Sequence, residues 1–176
     1  MTGMAGFKTI LSDWGADRRI KCYVATTPAT PDGYPTSEED KAFLAATMSD
    51  DATATTAFGA LTGGKLNNAW MNQKTKRSRE SSDLEAVKGY YDMWLNEDFS
   101  KELSEAKVQT TVLVIGGRND LPGFQQEYFD KTLAIWLPNV AFEYMDNAGH
   151  YPMQETPILF ASLVEKHLAN SISLSH

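Results

Sequence analysis

The sequence has one cysteine, Cys22, and only three histidines in 176 residues. A single cysteine excludes an internal disulfide, and so few histidines exclude a Cys/His cluster with the spacing of a structural zinc site. The sequence also lacks any run of roughly 18 apolar residues, and its first residues, MTGMAGFKTI, lack the basic region and the apolar run of a signal peptide. We therefore expect a cytoplasmic protein that uses no metal or cofactor and has no membrane partner.

Basic residues are scarce relative to acidic ones. Lysine and arginine number 16 against 23 aspartate and glutamate residues, which gives a formal net charge of −7. An acidic surface is a poor match for phosphate groups, so we expect no nucleic acid partner and consider small neutral ligands more suitable. The hydrophobic share of 42% is sufficient for the core of one domain.

Hydrophobic periodicity predicts an alternation of strands and helices, without internal repeats. The predicted strands are 20–27 (IKCYVATT), 108–116 (VQTTVLVIG) and 140–145 (VAFEYM). Between the first two strands the pattern is helical from Ser37 to about Leu103. The predicted helices are 4–14, 38–48, 51–61, 64–73, 81–96, 124–136 and 155–169.

Strands that alternate with helices indicate a parallel sheet, and ligands of such sheets bind beyond the carboxyl ends of the strands. Two loops there carry reactive side chains: Asp120 lies in GGRNDLPG, and His150 lies in DNAGHYPMQETP. Taken singly, each residue has an interpretation without catalysis: Asp120 as a residue of a turn, and His150 as a histidine packed within its loop. Together, on adjacent strands, the acid can fix the tautomer of the ring and stabilise the imidazolium formed in general-base catalysis.

The same two segments resemble a known family, the α/β-hydrolase fold superfamily, in its serine esterase, lactonase and haloperoxidase-like branch. VLVIGGRNDLPG resembles the seventh strand with its acid loop, and NAGHYPMQETP resembles the catalytic-histidine loop. The resemblance implies an α/β fold: the C-terminal part of an α/β-hydrolase fold, with parallel strands 6 to 8, flanking helices and a helical cap insertion. It assigns Asp120 the role of the acid and His150 that of the general base.

The opening segment, MTGMAGFKTIL, resembles the residues that follow the nucleophile in a strand-turn-helix elbow of the form G-x-S-x-G-G-M. Met1 matches the position after the serine, whose backbone N–H serves the oxyanion hole of the family, and Thr2 stands where the family usually has glycine. The resemblance therefore implies that the chain begins just after the nucleophile. Relatives with an aspartate nucleophile often carry tryptophan where Met1 stands, which favours serine. No serine of this chain has a glycine two residues before it.

The resemblance also divides the chain into a core portion, 1–36 and 104–176, and a helical cap, 37–103. Cap aromatics either form the core of the cap or line an apolar pocket, and we expect Trp70, Trp94 and Tyr151 to contact substrate. The basic run KTKRSR, residues 74–79, is expected to be a solvated segment between two cap helices.

The implied function is hydrolysis of a small apolar ester or lactone through an acyl-enzyme, with His150 activating a serine upstream of Met1. The alternative is a non-catalytic truncated homologue or fragment that acts as an interaction or structural module. In either case the strand at 20–27 would expose an apolar sheet edge unless an N-terminal half or a partner chain covers it.

Overall fold

Three parallel strands form the centre of the protein: β1 (Cys22–Thr26), β2 (Thr111–Gly117) and β3 (Val140–Met145). The sheet order is β1-β2-β3. The computed structural model describes residues 2–34 and 36–173. Gly117 at the end of β2 pairs with Met145 at the end of β3, so both strands finish at the same level. The sheet therefore delivers the two following loops to one edge, as the sequence predicted.

Helices and turns surround this sheet, and five of the ten α-helices in the described part of the chain lie between β1 and β2. Among the described residues, none of the helices is long and apolar enough to cross a membrane. The helices are α1 (Thr2–Trp14), α2 (Glu38–Thr47), α3 (Asp51–Leu61), α4 (Asn68–Ser81), α5 (Leu84–Asn96), α6 (Ser100–Ala106), α7 (Gln126–Phe129), α8 (Leu133–Trp136), α9 (Pro152–Glu155) and α10 (Pro157–Ser173), with a 3₁₀ turn at Pro122–Phe124.

Two helices between β1 and β2 begin later than the sequence predicted. The helix predicted at 64–73 is α4, and it begins at Asn68 because the Asn67 side chain caps it by accepting the N–H of Trp70. Gly63 and Gly64 have φ values of 60° and 70°, a left-handed backbone that no α-helix can include. The helix predicted at 81–96 is α5, which begins at 84 after its cap Asp83.

Both helices predicted after β2 are interrupted. The prediction at 124–136 corresponds to α7 and α8, separated by a turn at 130–132. The prediction at 155–169 corresponds to α10, which begins two residues later, extends to Ser173 and is preceded by the short α9. Pro157 begins α10 because proline has no N–H to continue the hydrogen bonding of α9.

The sequence did not predict α6 as a separate helix, and α6 contributes to the main core. The Leu103 side chain is fully buried, and α6 contacts α1 and α8. Val112 and Val114 of β2 face this core, while Leu113 and Ile115 face a smaller core against α10. The alternation follows from the two-residue period of a strand and shows that β2 is covered on both faces.

The first turn of α1 lies against the loop that follows β1. A Cβ atom built on Gly3 would be only 2.5 Å from the Cβ atom of Pro28, so a residue with a side chain does not fit there. The hydroxyl of Tyr23 in β1 donates to the Gly3 carbonyl at 3.1 Å. These contacts place the start of α1 beside the carboxyl end of β1.

We expect Leu103→Ala to lower the free energy of unfolding by about 2–5 kcal/mol, because it leaves a cavity in a closely packed core. Leu159→Ala, in a helix but 51% exposed, should cost less than about 1 kcal/mol. Urea unfolding of both variants measures the difference. Equal losses would contradict the placement of α6 in the core.

Stability should also depend on Tyr23 at alkaline pH. Burial raises the pKa of Tyr23 to about 12, from about 10 in an unfolded chain. Above pH 10 the unfolded state loses this proton while the folded state keeps it, so stability falls as the pH rises from 10 to 12. Tyr23→Phe should show a shallower decline in urea unfolding over that range, and an unchanged slope would refute this.

Candidate active site

Asp120 is buried in the loop after β2. Its side chain has no exposed surface, and its Oδ1 atom accepts the N–H of Leu121 at 2.7 Å. The loop is fixed by the amide of Gln125, which donates to the carbonyls of Gly117 and Asp120. The carboxylate is therefore held in one orientation, with Oδ2 directed toward His150.

The backbone of His150 is held from two sides. Its N–H donates to the carbonyl of Leu61, the last residue of α3, at 2.8 Å. Its carbonyl accepts the hydroxyl of Thr27, which follows β1, at 3.0 Å. Thr27 adopts a φ of 42°, an unusual value for a β-branched residue. The end of α3 and the residue that follows β1 thus both help to position the histidine.

Two glycines allow close backbone contacts with the histidine loop, one from the end of β2 and one from the end of α3. A Cβ atom on Gly117 would be 2.2 Å from the carbonyl oxygen of Gly149, and one on Gly149 would be 2.5 Å from the carbonyl oxygen of Leu61. The Glu155 carboxylate closes the histidine loop by accepting the N–H groups of Gly149 and Tyr151. A side chain at Gly117 would therefore push the end of β2 away from the histidine loop, and one at Gly149 would push that loop away from the end of α3.

The structure brings together the two residues that the sequence singled out. His150 Nδ1 and Asp120 Oδ2 are 2.7 Å apart, and the imidazole keeps 20% of its surface exposed. A neutral imidazole in this position donates its Nδ1–H to the carboxylate and presents Nε2 as a proton acceptor. Within residues 2–34 and 36–173, no side chain or backbone group hydrogen-bonds to Nε2. The pair can therefore act as an oriented base toward a group supplied to Nε2.

Among the described residues, no three His, Cys, Asp or Glu side chains are grouped so that they could hold a metal ion. The Phe124 ring lies edge-on to the imidazole, with the two centroids 4.5 Å apart. The surroundings of His150 are aromatic, which suits an organic ligand.

The three predicted pocket residues lie in two places. The Tyr151 ring is 5.3 Å from the imidazole and 5.6 Å from the Trp70 ring. Trp94 stacks on Tyr34 at 4.7 Å instead, and it lines a cavity of about 110 Å³ that Phe124 also lines. Met1, the predicted oxyanion-hole residue, lies outside the described residues.

The basic run at 74–79 differs from the prediction of a solvated segment between helices. It lies within α4, and Lys74 is half-buried, with Nζ 4.2 Å from the centroid of the Tyr151 ring. Burial lowers the pKa of Lys74, and Arg77 lowers it further. Burial likewise raises the pKa of Tyr151. The sequence pattern could not show that one residue of a charged run faces an aromatic side chain 77 positions away.

Sequence reasoning missed three residues that hold or surround His150. Leu61 acts through its backbone carbonyl, so its side chain carries no signal. Thr27 is the last residue of a predicted strand, at the carboxyl edge of the sheet where ligands bind. Phe124 is an aromatic residue close after Asp120 in the sequence. These two positions could have indicated that both residues lie near the site. Residues that act through the backbone become visible only in three dimensions.

No protein-family model matches the sequence, and no curated protein has a significant match. Solved structures do match. Carboxylesterase CesB from Bacillus subtilis is 18% identical with a TM-score of 0.65, covering 94% of this chain and 57% of its own. MGS-M2, an α/β hydrolase enzyme from a Medee basin deep-sea metagenome library, is 20% identical with a TM-score of 0.66, covering 94% and 62%. Est816, described as an N-acyl homoserine lactone degrading enzyme, is 17% identical with a TM-score of 0.66, covering 90% and 62%.

These similarities show the fold. The three parallel strands, their flanking helices and the helical insertion between β1 and β2 form the C-terminal part of an α/β-hydrolase fold. The expectation of the fold from two loop motifs is therefore confirmed. The chain spans about three fifths of the length of the solved structures named here.

We expect Asp120→Asn to change the tautomer of His150, because an amide can donate to Nδ1 where the carboxylate can only accept. The ¹⁵N shifts of the imidazole nitrogens report which nitrogen carries the proton. Asp146→Asn is the matched control, since the Asp146 carboxylate pairs with Arg118 in the same region. Identical imidazole spectra for the wild type and Asp120→Asn would contradict the hydrogen bond.

Proposed function

We propose that this chain carries the base and the orienting acid of a Ser-His-Asp hydrolase that cleaves esters or lactones. The observation that carries the proposal is the 2.7 Å contact between His150 Nδ1 and the buried Asp120 carboxylate. Two of the structural matches, CesB and Est816, are described as a carboxylesterase and a lactone-degrading enzyme, which supports an acyl substrate. The aromatic surroundings of His150 support a small apolar one.

In this proposal His150 Nε2 takes the proton of a serine hydroxyl as the serine oxygen attacks the substrate carbonyl. The imidazolium is stabilised by the Asp120 carboxylate and gives its proton to the departing alkoxide, which leaves an acyl-serine. His150 then takes a proton from water as the water oxygen attacks the acyl group. The proton returns to the serine, and the carboxylic acid is released.

The nucleophile is proposed to be a serine immediately before Met1, with the Met1 N–H as one oxyanion-hole donor. The position of α1 supports this. Gly3 packs on Pro28, and the neighbouring Thr27 donates to the His150 carbonyl. The first described turn of α1 thus lies close to the residues that contact the histidine loop.

The helical segment at 37–103 is proposed to be a cap over the site, with 1–36 and 104–176 as the core portion. The hydrogen bond from His150 to the Leu61 carbonyl supports this role, since it joins the end of α3 to the histidine loop. The other edge of β1 has no strand partner among the described residues. We propose that an N-terminal half or a partner chain covers that edge.

Ester hydrolysis tests the proposal on the product of the natural reading frame, with its mass verified. The protein should react with a fluorophosphonate probe at a serine and hydrolyse p-nitrophenyl butyrate. His150→Ala should lower kcat by at least roughly 10³-fold, and Asp120→Asn by roughly 10²- to 10⁴-fold. These losses follow because the first removes the base and the second misorients it.

Two substitutions serve as controls. His167→Ala, on α10 outside the site, and Asp146→Asn should both retain activity. A verified product that neither reacts with the probe nor turns over ester would refute the hydrolase proposal. It would favour the alternative, an interaction or structural module without catalysis.

A further inference from the structure

The cavity lined by Trp94 is small and almost wholly apolar. Its volume is about 110 Å³, and its walls include Ala29, Tyr34, Trp94 and Phe124. Phe124 is the same ring that lies 4.5 Å from the imidazole of His150. The cavity therefore lies one aromatic ring away from the candidate base.

The polar groups of the cavity belong to a chain of side-chain hydrogen bonds. Thr30 and Tyr128 both line the cavity, and their hydroxyl oxygens are 3.3 Å apart. The Tyr128 hydroxyl also donates to Oδ2 of Asp32 at 3.1 Å. These three residues are here called the hydroxyl relay.

The direction of the hydrogen bonds in the hydroxyl relay follows from the number of protons that its hydroxyl groups carry. A tyrosine hydroxyl has one proton, and that of Tyr128 is donated to Asp32. Thr30 must therefore be the donor in its bond with Tyr128. The remaining hydrogen-bonding sites on the two hydroxyl oxygens are lone pairs: two on the Thr30 oxygen and one on the Tyr128 oxygen. The relay can accept further hydrogen bonds from a ligand, but it cannot donate any.

The Asp32 carboxylate also favours a ligand that donates hydrogen bonds. Oδ1 of Asp32 is buried and receives no hydrogen bond from any described residue. A buried carboxylate oxygen without a donor is costly, and it favours a positive or proton-donating group nearby. Burial is the main cause of the raised pKa of Tyr128. The hydrogen bond from Thr30 lowers this pKa, and Asp32 raises it further. Tyr128 thus stays protonated and keeps the direction of the relay.

The size of the cavity limits the ligand. An apolar cavity of roughly 150 Å³ accommodates a benzene ring, so a cavity of about 110 Å³ suits a flexible chain of about four carbons rather than a six-membered ring. Such a chain would contact Trp94 and Phe124 along its length. Its end would meet Thr30 and Tyr128.

We propose that this cavity is a specificity subsite for a short aliphatic chain that ends in a hydrogen-bond donor, such as a hydroxyl group. The proposal rests on the proposed function in one respect, namely that the chain is part of a substrate cleaved at His150. The donor is selected because a terminal methyl group would leave the acceptors of Thr30 and Tyr128 without a partner. A terminal carboxylate would be repelled by Asp32.

Direct binding tests the subsite independently of catalysis. The indole N–H signal of Trp94, assigned with Trp94→Phe, is followed by NMR in the natural reading-frame product during titration with 1-butanol, its isomer methyl propyl ether, and cyclohexanol. We expect 1-butanol, which ends in a hydroxyl group, to bind about tenfold more tightly than methyl propyl ether, which has no hydrogen-bond donor; this is the difference expected for one hydrogen bond to a buried acceptor. Cyclohexanol should give no saturable shift.

Variants test whether the hydroxyl relay causes the preference for a ligand with a hydrogen-bond donor. Tyr128→Phe and Thr30→Val keep the shape of the wall and should remove the preference for 1-butanol while methyl propyl ether still binds, which shows that the cavity has folded. Tyr34→Phe removes a hydroxyl from the same cavity outside the relay and should keep the preference. The proposal is overturned if the alcohol and the ether bind equally to the wild type, if the Trp94 signal does not move, or if Tyr34→Phe alone abolishes the preference. Equal binding of cyclohexanol would overturn the size limit.

Hydrolysis of 4-hydroxybutyl acetate and pentyl acetate, followed by pH-stat titration, connects the subsite with the reaction. We expect the hydroxy ester to have about a tenfold higher kcat/KM, and equal values would overturn the assignment of the subsite to the alcohol part of the substrate. If neither ester is cleaved while the Trp94 titration still shows the preference, the hydrolase proposal fails and the binding subsite stands.

Discussion

The contact between the loop after β2 and the loop after β3 is the constraint on which the site depends. The two strands end at the same level, and their loops meet where Gly117 lies against the carbonyl of Gly149. Only a residue without Cβ permits this approach, and only this approach brings His150 to 2.7 Å from Asp120. Because parallel strands present their carboxyl ends together, a small number of glycines is sufficient to bring an acid and a base into contact.

The helices between β1 and β2 extend the same constraint to a distant part of the chain. The Leu61 carbonyl accepts the His150 N–H, and the turn after α3 comes close to the acid loop, since a Cβ on Gly63 would be 3.2 Å from that of Asn119. A displacement of α3 would therefore be transmitted to the histidine. The same helical segment carries Trp70 to the ring of Tyr151, so it contributes both to the surroundings of His150 and to the backbone contact that holds it.

The alternation of strands and helices and two loop motifs were sufficient to predict the fold and to single out Asp120 and His150. β3 and α3 also have the bounds predicted from the sequence; β3 follows a Pro-Asn turn, and the Asp50 side chain caps α3 by accepting the N–H of Thr53. The start of α4 was missed because its cap, Asn67, has no distinctive pattern around it. The division of the helix predicted at 124–136, the role of α6 in the core and the placement of Lys74 depend on tertiary contacts, which periodicity does not record.

The charged groups near Tyr151 and His150 are held at different places. The buried Asp120 carboxylate lies 2.7 Å from Nδ1 of His150, and the ammonium of Lys74 lies 4.2 Å from the centroid of the Tyr151 ring. The Tyr151 ring is also 5.3 Å from the imidazole. The face of an aromatic ring attracts a cation, so Tyr151 holds the half-buried ammonium of Lys74 without a carboxylate that would compete with Asp120. A lysine can thus lie on a ring that also contacts His150 while the Asp120 carboxylate stays with the imidazole.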